Sequence, residues 1–213
     1  MMSTEDENLR EDVKNVADSD DVREKVRQVT LKALSERELD KDRIADIVKI
    51  VVEGITDGIG ETSTNLKPQL KASMAGIDDA LSKSAVAAKL ASEEALGRAE
   101  QFAQNDIKKA LEDFKGLEES FIDTINTVAK GSSSLVATAL NEISDHLKHS
   151  GTQSGKEAAD AVSSLSQTLL DAGKGTVNEL ANATQLASGQ FTKIASGILS
   201  GMADAISTSR RSD

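Results

Sequence analysis

The stretch LDKDRIADIVKIVVEGITDGIG, Leu39 to Gly60, decides the fold class. Ile44, Val48, Val51, Ile55 and Ile59 recur at steps of three and four, which stacks them along one side of an α-helix. Strands alternate with period two, and no such alternation is present. Asp40 or Asp42 starts the helix, while Gly58, Gly60 and the polar run ETSTN stop it. Working outward, the same grammar repeats. Upstream, Ser19, Asp20 and Asp21 precede a helical face of Val22, Val26, Val29 and Ala33. Downstream, Asn65 caps a new start and Pro68 falls in its first turn, where a missing N–H is tolerated.

From Asn65 onward the pattern is helical for a long way, with weak points at KGSSS (130–134), HSGTQSG (149–155) and DAGKGT (171–176). The middle one is the expected turn, and a bend is expected near Asn105-Asp106 or residue 131. An internal period runs through this region. Counting by eleven from Leu70 meets Leu81, Ser92, Ala103, Phe114, Ile125, Val136, Leu147, Ala158, Leu169, Leu180, Phe191 and Met202, with one polar residue on the track. A second, weaker track holds Ile77, Ala88, Ala99, Ala110, Phe121, Ser132, Ile143, Ser154, Leu165, Thr176, Ala187 and Ile198. Eleven residues in three turns is about 3.67 per turn, so the apolar stripe stays on one side of a nearly straight helix. The expected fold is therefore all-α: elongated amphipathic helices in a bundle or a long helical hairpin, with an eleven-residue apolar period. Such a stripe is covered either by neighbouring helices or by a large hydrophobic surface.

Composition agrees with thin helical packing. The 213 residues contain no Cys, Trp or Tyr, four Phe and one Pro. Disulfides and thiolate metal sites are excluded. Charge divides the chain into an acidic head (1–65), a mixed middle (66–150) and a tail (151–213) poor in charge of either sign. Net charge is −11 with no clustered basic face, so a nucleic-acid partner is not expected. The N-terminal MMSTEDENLRED has no secretory signal pattern, and no run approaches the roughly 20 apolar residues of a membrane span. The expectation is a cytoplasmic protein, peripheral at most to a granule or membrane surface.

No motif carries catalysis. His146 and His149 close a helix without the Glu-x-x-His pairs of a bundle metal site; as cations they complement its dipole. DAGKGT departs from the phosphate-loop pattern twice, since Thr168 stands where Gly is needed and Gly175 follows Lys174. GILSG (197–201) places Ser200 one position too late for a nucleophile elbow. No catalytic, cofactor-binding or metal-ligating residue is assigned, and no cofactor is expected. Gly54/Gly58, Gly151/Gly155 and Gly197/Gly201 are small pairs at i,i+4 that allow helices to approach closely, as in self-association.

The tail bears most on function. Leu165, Leu169, Val177, Leu180, Phe191, Ile194, Ile198, Met202 and Ile206 form its apolar face, opposed by Ser, Thr, Asn, Gln and Gly with few Lys or Arg. Such a helix adsorbs through apolar insertion rather than through anionic headgroups. These residues are the candidate surface- or partner-binding face.

The segment AVAAKLASEEALGRAEQFAQNDIKKALEDFKGLEESFIDTINTVA, Ala85 to Ala129, resembles a group of uncharacterised all-helical bacterial proteins. In its Ala-rich helices, scarce aromatics, lack of Cys and Ser/Thr/Gly-rich tail, the chain from 66 to 206 is also similar to phasins. That resemblance implies a coat on polyhydroxyalkanoate granules or a lipid surface and a tendency to homo-oligomerise. It supplies no catalytic residue. The functional expectation is a non-enzymatic coat or scaffold, the alternative a soluble self-associating helical bundle with a structural or regulatory role.

Overall fold

The computed structural model of the chain describes residues 3–36, 41–60, 64–97 and 116–171. Its helices are α1 (Thr4–Val16), α2 (Val22–Ser35), α3 (Lys41–Gly58), α4 (Leu66–Gly97), α5 (Leu117–Gly131), α6 (Ser134–Ser150) and α7 (Gln153–Asp171), with no strand among the described residues. The all-α expectation holds, and the arrangement is a bundle. Helix α4, 32 residues and about 48 Å long, is its axis. It packs most heavily on α2 and α7 and also meets α3 and α6, while α3 joins α1 to α5.

Local sequence explains where these helices start and stop. The Ser3 hydroxyl accepts from the Asp6 N–H at 3.2 Å and the Asp6 carboxylate reaches back to the Ser3 N–H, a capping box. The acidic head (1–65) is expected to be helical, but no separate helix is delimited in it ahead of Ser19, where α1 lies. Its signals are that box and a short stripe of Leu9, Val13 and Ala17, all buried. The bend expected near residue 131 is a break at Ser132–Ser133, after which α5 and α6 pack on one another. The turn expected at 149–155 is present. Gly151 ends α6 at φ +73°, a backbone conformation that an L side chain resists.

Where the two apolar tracks fall on described side chains, most of their large residues are buried. Leu70, Leu81, Ile125, Val136 and Ala158 are each 3% exposed or less, and Ile77, Phe121 and Leu165 from the second track are buried with them. Helices joined by turns keep the same residues inside because each turns its stripe to a shared centre. One hydrophobic cluster runs from Leu9 to Leu165, so the charge-defined head, middle and tail share a core where they are described.

Gly54 and Gly58 provide the close approach that the spacing suggests, but within the chain. A Cβ on Gly54 would meet the Arg10 carbonyl oxygen at 2.8 Å. One on Gly58 would meet that of Lys14 at 2.4 Å and Ala17 Cβ at 2.7 Å. The pair therefore seats α1 on α3. Gly197/Gly201 lie outside the described residues.

Candidate functional site

The candidate binding face divides into three parts. Leu165 is fully buried in the hydrophobic core, so this residue is structural rather than a free contact for a surface. The reason is that α7 folds back along α4 and turns Ala158, Ala161 and Leu165 inward. Leu169 belongs to α7, but its side chain is outside the described set. Val177, Leu180, Phe191, Ile194, Ile198, Met202 and Ile206 lie outside the described residues.

What positions α7 is a polar junction made by three helices. The N–H groups of Gln153 and Ser154 donate to the two Asp78 carboxylate oxygens of α4, at 2.8 and 2.9 Å. The Thr152 N–H and hydroxyl both donate to Glu118 Oε1 of α5, at 2.7 and 2.9 Å. The Gly155 N–H in turn donates to Thr152 Oγ1 at 2.8 Å. The first turn of a helix has unpaired N–H groups and a positive dipole end, so two carboxylates stabilise it doubly. Gly155 leaves room for this arrangement. A Cβ would sit 2.6 Å from Glu118 Cδ, in the space that the carboxylate fills. Sequence offers no signal for this junction, because its partners are 34 to 76 residues apart.

Asp79, next to Asp78 in sequence, has a different partner. It accepts from Arg23 Nε at 2.8 Å and links α4 to α2 across an exposed surface. The hydrogen bond and charge of Asp79 hold the Arg23 guanidinium above its ordinary pKa. Gly76 lies under the same crossing, where a Cβ would come within 2.4 Å of the Arg23 carbonyl oxygen.

Several clefts open on this body. A polar one of about 400 Å³ lies between α1, α3 and the α5–α6 break, lined by Arg10, Lys49, Glu53, Asp57 and Ser133. Arg10 is committed there to Asp57 at 2.7 Å and Glu53 at 3.7 Å. Another, of about 380 Å³, runs between α4 and α6 over Met74, Ala75, Ile143 and Leu147. His146 and His149 are exposed at the end of α6, and His149 Nδ1 lies 2.6 Å from the Asp145 carbonyl oxygen. Among the described residues no group of three or more His, Asp or Glu is placed to hold a metal ion. Among the same residues no helix is long and apolar enough to cross a membrane.

The sequence model of a family of unknown function, DUF6781, matches residues 1–208. The chain belongs to that family. Its match extends across the whole described body of this DUF6781 chain and across the apolar tail residues that follow. No curated protein matches the chain, and no solved structure does.

Proposed function

We propose that the protein is a non-enzymatic helical scaffold that coats a hydrophobic granule or lipid surface. The bundle is its body, and the charge-poor tail residues Val177, Leu180, Phe191, Ile194, Ile198, Met202 and Ile206 are its adhesive. The observation that carries this reading is a contrast. Among the described side chains only Leu90 and Leu135 are large hydrophobics left exposed, so these side chains form no broad apolar face. The tail, by contrast, repeats large apolar residues on a background of Ser, Thr, Gly and Ala with few charges. Each large side chain inserted into an apolar phase contributes about 1.5–3 kcal/mol before ordering costs, so several together hold a helix on a surface. The phasin-like texture of residues 66–206 supports the same reading.

The test compares the full chain with a Phe191→Ser, Ile198→Ser, Met202→Ser triple variant. Both are mixed with neutral phosphatidylcholine vesicles and with hydrophobic polymer granules, then sedimented. The wild type is expected in the pellet and the variant largely in the supernatant. A wild type that stays in solution, or a variant that pellets equally, overturns the proposal. If the variant instead abolishes a soluble oligomer, the same residues belong to self-association.

A further inference from the structure

We propose that the cleft between α4 and α6 binds a free single-chain alkyl carboxylate. Its floor is aliphatic: Met74 and Ala75 from α4, Ile143 and Leu147 from α6. Its volume, about 380 Å³, falls within the roughly 300–1,000 Å³ of small-molecule sites. Met74 is unbranched and adapts its shape to a flexible chain. The residues Lys67, Lys71, Ala75 and Asp78 follow one side of α4, which at about 1.5 Å per residue makes a trough of about 16 Å.

Charge at the rim selects the headgroup. Lys67 pairs with Glu142 at one end of the cleft, so each charge is compensated by the other. Asp78 at the other end is occupied by the Gln153 and Ser154 amides. Lys71 remains, exposed and without an ion pair among the described residues, beside the exposed imidazole of His146. Among the described residues the hydrogen-bond contact of His146 Nδ1 is the Ser150 hydroxyl, at 3.4 Å. One free ammonium beside an apolar trough suits a ligand with one negative charge and an aliphatic body. The carboxylate is held by Lys71, with the His146 ring as a second donor, and the alkyl chain covers Met74, Ile143 and Leu147.

The full chain has no Trp or Tyr, so dansylaminoundecanoate fluorescence can be followed against a dark background. Saturable binding of one probe per chain is expected, displaced by dodecanoate and not by its methyl ester. Lys71→Glu is expected to weaken binding at least tenfold with helicity unchanged, as is Ala75→Leu, which fills the floor. Lys49→Glu, in the cleft between α1 and α3, leaves binding intact and controls for net charge. The tail triple variant also keeps it, so this site and the surface-coat proposal fail separately. Non-saturable uptake, displacement by the ester, Lys71→Glu binding as tightly as wild type, or loss of binding in the tail variant overturns the proposal.

Discussion

Replacing Asp78 by Ala removes the carboxylate that α4 lends to the first turn of α7. Two N–H groups lose their acceptor, those of Gln153 at 2.8 Å and Ser154 at 2.9 Å. Loss of a helix N-cap costs about 0.5–2 kcal/mol. The Ser154 N–H bond is partly buried, and an unsatisfied donor there adds about 1 kcal/mol. The expected destabilisation is thus about 2 kcal/mol. Asp79→Ala is the internal control. It breaks an ion pair in which Arg23 is 60% exposed and Asp79 27%, a contact worth about 0–1 kcal/mol. Both substitutions sit inside α4 and gain the same helix propensity, up to about 0.7 kcal/mol, which cancels in the comparison. Urea denaturation followed by helical ellipticity should separate the variants by about 1–2 kcal/mol, or about 2–8 °C in Tm for a chain of this size. Hydrogen exchange at Gln153 and Ser154 should accelerate in Asp78→Ala and stay unchanged in Asp79→Ala. Equal costs for the two, or a larger one for Asp79, would refute the assignment of Asp78 as the cap of α7.

Gly58→Ala should destabilise by about 1–3 kcal/mol through overpacking against the Lys14 carbonyl and Ala17, despite better helix propensity. Gly60→Ala, with nothing within 4 Å of its Cβ, is the neutral control in the same thermal melts. Gly155→Ala should displace Glu118 from Thr152. The double variant with Glu118→Ala should then cost less than the sum of the singles, a coupling that a double-mutant cycle measures. Leu165→Ala should cost about 2–5 kcal/mol, because the side chain is fully buried. Vesicle sedimentation of the folded Leu165→Ala protein should be unchanged, which would separate its core role from that of the tail.

Much of the body is legible one helix at a time. Asp42 lies in the first turn of α3 and Gly58 is its last residue, Asn65 stands before Leu66 at the start of α4, and Gly151 follows the end of α6. These are local effects, set by backbone freedom and by which groups can satisfy orphan N–H and C=O groups. Helix α1 is a harder case. Its stripe is only three residues, and its capping box uses Asp6 where Glu or Gln is the usual third-position partner. The junction of Asp78, Glu118 and Thr152 is not legible at all, since no local pattern distinguishes an acid that caps a distant helix from one that faces water.

The sequence by itself determined that this chain is helical, which faces are apolar and where helices break, because each depends on residues within a few turns. It also determined that residues 151–213 are poor in charge. Only the tertiary structure decided what covers the stripe. Leu70, Ile125 and Leu165 occupy equivalent apolar positions whether their cover is a neighbouring helix or a hydrophobic surface, since burial of apolar area has no direction. Packing α7 on α4 assigned Leu165 to the interior. The same folding brought Asp78 to a helix end 75 residues away and left Lys71 beside an aliphatic trough. Such juxtapositions depend on how helices are stacked, which periodicity along one chain does not encode.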